Sequence, residues 1–280
     1  MVSVIIQYME SLLSLFSFAF GAIIGSFLNV VIFRFNTGKT IGGRSCCASC
    51  GRTLSWFELI PLFSFISLGG KCRKCKSSIS SQYILVEFFT GLLFLLVALK
   101  ELSFFSDLSP ESVLGVVVGW LVVAILMVVF FYDLKHMIIP DSLSQTLFLV
   151  AVGNFVLNLF LFNAGVGYAY AHLTSALIFA GFLGLLWLIS GGRWIGLGDA
   201  KLATSLGLLL PLSSGLSALA FAFWIGASVA LVKIAHTRLS ESQKRITMKT
   251  EIPFAPFLIA GFILSYFMQS DIFHISNLFL

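Results

Sequence analysis

Eight predominantly apolar stretches follow one another along this chain, near residues 12–33, 83–99, 113–131, 143–162, 169–189, 199–212, 216–234 and 253–268. A helix needs about 20 apolar residues to cross a hydrocarbon core about 30 Å thick. Inside lipid every backbone polar group must be paired within the protein, so runs of this kind are read as helices. The composition agrees. Of 280 residues 59% are hydrophobic and only 10% charged, and 30 are phenylalanine; soluble domains carry about 25% charged residues. A soluble enzyme, a disordered chain and a disulfide-rich secreted module are all excluded. The fold class that remains is an all-α integral membrane protein.

The run at 199–212 is short enough to suggest a re-entrant segment, and charge parity decides it. Sixteen of the 17 Lys and Arg residues fall in the odd-numbered connections. The first, 34–82, holds Arg34, Lys39, Arg44, Arg52, Lys71, Arg73, Lys74 and Lys76 against the single acid Glu58. Lys135, then Arg193 and Lys201, follow in the third and fifth, and Lys233, Arg238, Lys244, Arg245 and Lys249 in the seventh. Lys100 alone falls elsewhere, and the remaining connections carry Glu101, Asp107, Glu111 and Asp271. By the positive-inside tendency the odd connections are cytoplasmic and the N-terminus is outside. Connections five and seven then share a side, so the segments between them form a hairpin and the expected count is eight spans. The net charge of +5 marks a membrane face rather than a nucleic-acid partner. No Lys or Arg precedes Arg34, so the first run lacks the basic start of a signal peptide and is expected to be a retained span. Gly21-x-x-x-Gly25, followed by Ser26, gives it a small-residue face for close packing.

Four of the five cysteines form Cys47-x-x-Cys50 and Cys72-x-x-Cys75. Each pair can turn two thiolates toward one ion, and two such turns complete a closed tetrahedral S4 site, most simply for zinc, with iron as the alternative. A closed site has no open position for water, so its role is structural: it folds a loop too small to build its own core. Reduced structural thiols are the plainer reading, and disulfides are disfavoured on a cytoplasmic loop. Cys46 adjoins Cys47, but its spacing to Cys50 breaks the pattern.

Charged residues near spans cost free energy and point to function. Glu101, Asp107, Glu111, Glu241 and Asp271 read as solvated loop acids, and Glu87 lies about one turn inside the second run. Asp133 and Asp199 stand apart. Asp133 ends the third run and leads into Ile139-Pro140-Asp141; Asp199 ends Gly196-Leu197-Gly198-Asp199 and opens the sixth. Both are expected at the same membrane face. Glycines before Asp199 let other backbone approach the carboxylate closely. Two carboxylates that share a proton are the apparatus of aspartic proteolysis, one activating water and the other protonating the scissile carbonyl. An ion-coupled transporter using Glu87, Asp133 and Asp199, or a zinc-stabilised scaffold for a secretion or pilus assembly, are the other readings. Carriers place their acids nearer mid-bilayer, and a scaffold has no need of both aspartates.

Taken together these motifs resemble the type IV prepilin peptidases, or leader peptidase/N-methyltransferases, of the GxGD class of intramembrane aspartyl proteases. The resemblance is carried by Gly25-Ser26-Phe27-Leu28-Asn29 through Arg34, the paired Cys-x-x-Cys loop with Ile60-Pro61-Leu62, and Tyr83…Glu87. It continues through Asp133…Ile139-Pro140-Asp141, Gly196-Leu197-Gly198-Asp199-Ala200-Lys201 and Pro253-Phe254-Ala255-Pro256. It implies a multi-pass bacterial inner-membrane enzyme with Asp133 and Asp199 as its catalytic pair. Such an enzyme cleaves the basic leader of prepilins and pseudopilins after a glycine, on the cytoplasmic side. It further implies methylation of the new N-terminal amine from S-adenosylmethionine, associated with the first cytoplasmic loop. The implied organisation is a first span over 1–33, a zinc-binding loop over 34–82 and a seven-helix peptidase domain over 83–280. Ala48 and Ala255 stand where the family usually has proline and glycine.

Overall fold

The structure, a computed structural model, describes residues 2–37, 40, 42–102, 109–239 and 252–274. Lys39, Asp107, Glu241, Lys244, Arg245 and Lys249, which entered the charge pattern, lie outside the described residues. Among the described residues nine α-helices follow in order: α1 (Val2–Arg34), α2 (Phe63–Ser67), α3 (Gln82–Glu101), α4 (Pro110–His136), α5 (Asp141–Phe160), α6 (Gly165–Ser190), α7 (Leu197–Leu209), α8 (Leu212–Leu239) and α9 (Ala255–Met268). A 3-10 turn, Trp56–Leu59, precedes α2, and two isolated antiparallel bridges, Cys46 with Thr53 and Lys71 with Ser78, are the β-like pairings among the described residues.

All eight apolar stretches are helical. Within α1, α3, α4, α5, α6 and α8 lie six segments long and apolar enough to cross a membrane, which makes this an all-α integral membrane protein. α7 and α9 have 13 and 14 residues, or about 20 Å each at 1.5 Å per residue, short of a full hydrocarbon core.

The chain forms two compact units, Met1–Val128 and Val129–Leu280, with the boundary inside α4. In unit 1 the small-residue face of α1 lies directly on α3. A Cβ on Gly21 would stand 2.9 Å from the Cα of Gly91, and one on Gly25 would stand 2.8 Å from the Cα of Glu87. Asn29 continues the seam, its amide donating to the carbonyls of Tyr83 (3.1 Å) and Gly25 (3.3 Å). Contacts that rise along α1 while they fall along α3 make the two helices antiparallel, so the connection between them leaves and returns at one end of the pair. Near the other end of the pair the Trp120 indole of α4 donates to the Phe94 carbonyl at 2.9 Å and stacks on its ring.

Unit 2 is organised around α7. The helix packs against α5, α6, α8 and α9, and Asp199, Ala200, Leu202, Ala203, Ser205, Leu206, Gly207 and Leu208 are buried. Small residues again set the closest approach: a Cβ on Gly207 would lie 2.9 Å from the Cα of Ala176 on α6. Polar side chains bind backbone across the helices, as His172 does with the Leu208 carbonyl (2.9 Å) and Ser265 with that of Ser214 (2.6 Å). Without water to compete, such pairs hold membrane helices together alongside packing.

Candidate functional site

Two groups of chemistry-bearing side chains stand out, one in each unit. In unit 1 the connection between α1 and α3 contains two turns of the same construction. Cys47 N–H donates to the Arg52 carbonyl, and Gly51 N–H donates back to the Cys47 carbonyl, both at 2.9 Å. Twenty-five residues on, Cys72 N–H donates to the Ser77 carbonyl (2.9 Å) and Lys76 N–H to that of Cys72 (3.0 Å). The residue after the second cysteine has positive φ in both, +67° at Gly51 and +59° at Lys76. Glycine takes that conformation freely; the second turn forces it on lysine.

These turns bring the sulfurs of Cys47, Cys50, Cys72 and Cys75 within 4.8 Å of one another. The Cys47–Cys75 separation of 3.8 Å equals the edge of about 3.8 Å expected for a tetrahedron with zinc–sulfur bonds near 2.3 Å. None of the five cysteines is in a disulfide, and Cys46 is exposed and outside the group. Electrostatics also suit a cation. The backbone N–H groups of Cys50 and Ser49 lower the Cys47 thiol to about 6, and the Ser77 hydroxyl lowers Cys75. For Cys50 the Arg52 amide pulls the thiol down, but desolvation and the neighbouring sulfurs outweigh it and raise it to about 11. Four thiols this close cannot all ionise on their own; a bound divalent ion removes the conflict. The four residues fit a structural metal. The buried Glu58 carboxylate, held low by the Ser55 amide and by Arg52, ties the first turn to the segment that follows it.

In unit 2 the two aspartates come from helices 66 positions apart. Asp133 lies in the last turn of α4, which ends when Met137 takes φ +53° and donates its N–H to the Asp133 carbonyl at 2.8 Å. The stretch from Ile138 to Pro140 then leads to α5, with Pro140 at its start. Asp199 is the third residue of α7. α6 stops on Gly191 and Gly192, both at positive φ, and Gly196 supplies the extended residue before α7. Asp199 reaches back to accept the Gly196 N–H at 3.1 Å, half of a capping box that also places negative charge at a helix N-terminus. Gly198 lets this turn seat against the chain after α4, since a Cβ there would meet the Cβ of Ile139 at 3.2 Å.

Both carboxylates are buried, and the charge of Asp133 acts on Asp199. The backbone amide of Ala255, the first residue of α9, faces the Asp133 carboxylate, whose Oδ2 is buried without a hydrogen-bond partner. Buried carboxylate oxygens are rarely left so, and an unmatched acceptor beside a second carboxylate is a place for water or a polarised carbonyl. Ala255 is thus part of the site through its amide; its occurrence in a signature-like segment was the sequence signal. Lys201 pairs with Asp141 at 2.6 Å on the exposed side of the same helices. Glu87 belongs to unit 1, where it accepts the Leu62 N–H at 2.8 Å.

Comparison with known proteins gives a consistent picture. Residues 19–101 match the model of the bacterial peptidase A24 N-terminal domain, and residues 120–231 match that of the type IV leader peptidase family. Three similar proteins are each called prepilin leader peptidase/N-methyltransferase. That of Myxococcus xanthus is 35% identical over 82% of this chain and 66% of its own length. The Aeromonas hydrophila protein is 32% identical over 88% of both chains, and that of Bacillus subtilis 31% identical over 91% of this chain and 94% of its own. No solved structure matches the chain.

Proposed function

The chain belongs to the type IV leader peptidase family, and from that premise we propose that it is a prepilin leader peptidase with Asp133 and Asp199 as its catalytic pair. The observation that carries the assignment of residues is the convergence of two buried carboxylates, with Asp133 Oδ2 left unmatched. One carboxylate, ionised, takes a proton from water as the oxygen attacks the scissile carbonyl; the other, protonated, donates to the carbonyl oxygen. Collapse of the tetrahedral intermediate breaks the C–N bond: the proton taken from water passes to the departing amine, and a hydroxyl proton of the intermediate returns to the carboxylate that had donated one. Like charges this close favour a pair holding one proton between them, the state the reaction needs. The Gly196 amide holds Asp199 by a hydrogen bond, and the Ala255 amide faces Asp133.

The reading includes eight spans, with the short α7 and α9 as the sixth and eighth. It also places the odd connections in the cytoplasm, so the aspartates act at the cytoplasmic rim of a bacterial inner membrane. There the apolar segment of a prepilin or pseudopilin can remain in the bilayer while its leader is cut. Cys47, Cys50, Cys72 and Cys75 would hold a structural zinc in the 34–82 loop, supplying the cross-link that a segment without a core lacks. The family's second activity makes the enzyme bifunctional, and S-adenosylmethionine would supply the methyl group. The chain carries no glycine-rich nucleotide fingerprint, and in the α1–α3 seam the Asn29 amide nitrogen and the Glu87 carboxylate are engaged with backbone, while Asn29 Oδ1 has no partner. No residue is therefore assigned to the methyl donor.

Cleavage of a prepilin by the purified protein in bilayers tests the central claim. Asp133→Asn and Asp199→Asn are each expected to lower the rate by about 10²–10⁴-fold with helicity unchanged. Parent-like cleavage by either variant would overturn the assignment.

A further inference from the structure

Three exposed apolar side chains in the α1–α3 connection have no part in the peptidase reading. Trp56 is 77% exposed, Phe63 65% and Ile66 69%. They lie on two elements, the Trp56–Leu59 turn and α2, that are too short to bury a face of their own. In an ordinary soluble loop this would be an uncovered apolar patch. Its position shows otherwise.

Both ends of the connection emerge from the same end of the antiparallel α1–α3 pair. The connection does not then run away from the helices, because its middle is pinned back onto one. Leu62 N–H donates to the Glu87 carboxylate at 2.8 Å, and Glu87 lies five residues into α3, about 7–8 Å along the helix from its first residue. The pin holds an unusual bend. Leu62 has φ +62° and ψ −52°, and Phe63 N–H donates to the Pro61 carbonyl at 2.6 Å, a one-residue γ-turn that β-carbon-bearing residues seldom adopt. Just outside that level Phe33 and Tyr83 stack at 4.9 Å, and Tyr is one of the residues enriched where spans leave the bilayer. The middle of residues 56–67 is therefore held beside the second turn of α3 rather than beyond its end.

Charge completes the pattern. Lys71, Arg73, Lys74 and Lys76 of the second cysteine turn are all exposed. The Arg73 guanidinium lies 5.3 Å from the Phe57 ring, and Phe57 packs edge-on against Trp56. Basic and apolar side chains thus adjoin at one place, the arrangement by which interfacial segments bind an anionic leaflet.

We infer that residues 56–67 form an interfacial membrane anchor. Trp56, Phe63 and Ile66 enter the boundary between headgroups and acyl chains, the Lys and Arg residues of the second cysteine turn meet anionic phospholipid, and Glu87 sets the depth. The occupant of the apolar surface is the bilayer the protein already spans, and the inference stands apart from the identity of the catalytic residues.

Fluorescence of the full-length protein in nanodiscs of mixed neutral and anionic phospholipid tests it. The difference between parent and Trp56→Phe isolates the Trp56 signal. That signal is expected to lose roughly half its intensity to lipids brominated near the headgroup, with little response to aqueous acrylamide. Replacing anionic by neutral lipid is expected to weaken the bromine effect. A photo-reactive benzophenone residue at position 66 supplies a second readout, expected to form phospholipid adducts. Quenching by acrylamide alone would overturn the inference. So would shielding from both quenchers, or adducts with protein instead of lipid, since these would mean that a second copy or another protein covers the surface.

Discussion

The tetracysteine group of unit 1 and the aspartate pair of unit 2 both crowd acidic side chains together, by different routes. Each cysteine pair sits on a turn of six residues closed by two backbone hydrogen bonds of its own, a frame made by residues adjacent in sequence. Only the meeting of the two turns is long-range. The aspartates have no such local frame: one ends α4, the other opens α7, and packing inside unit 2 brings them together. The charge is relieved differently as well. Thiols at this spacing call for a divalent cation, whereas two carboxylates can share one proton. A closed cage suits a structural role and a shared proton suits chemistry. One follows from turn geometry, the other from helix packing.

The sharpest way to break the comparison is to disable one centre and read both. In the aspartate variants the metal content should stay at the parent level while cleavage falls by the two or more orders of magnitude given above. Loss of metal from these variants would show that the two centres are not separate. The converse experiment is Cys72→Ser, at the most buried of the four ligands. Metal measured by elemental analysis is expected to fall from about one per chain to a small fraction of that. Limited proteolysis should then cut within residues 42–80 first. Full metal retention in Cys72→Ser, together with Cys50→Ser, would refute the cage.

Smaller effects probe the packing on which the aspartates alone depend. Gly207→Leu pushes a side chain into the backbone of α6 at Ala176, an overpacking expected to cost about 1–3 kcal/mol. Thermal stability and cleavage should both drop while metal content does not. Unchanged thermal stability would show that α6 and α7 have room to separate. The smallest effect is expected at the exposed Lys201–Asp141 pair, two residues from Asp199. Asp141→Asn should change stability by about 0–1 kcal/mol, and a larger loss would mean that this pair, rather than packing, holds α5 to α7.

Much of this was legible in the residues. The apolar runs located eight of the helices, six of them long and apolar enough to span, because helices in lipid satisfy their own backbone and leave a direct mark on composition. Gly21 and Gly25 announced the α1–α3 seam. The grouping of the four cysteines was legible because each pair is only three residues apart in the chain, and the structure brings the two pairs together. Less visible was the near-identity of the two cysteine turns, since Gly51 and Lys76 do the same conformational work with unlike side chains. The inward fold of the connection was not visible at all: nothing about Leu62 announces that its amide will find Glu87, 25 residues away. The backbone partners of the aspartates divide in the same way. Gly196 could be expected from its place three residues before Asp199, but Ala255 is 122 residues from Asp133 and reaches it only because α9 packs within unit 2.

What the sequence determined by itself is therefore everything that short-range physics writes into composition and spacing: the bilayer as solvent, the helices, the cysteine turns and the scarcity of acids. Tertiary structure alone decided which of those acids meet, which backbone amides face them, and that the connection folds back onto α3. Those outcomes depend on how closely helices approach, and that distance is set jointly by small residues on partners far apart in the chain.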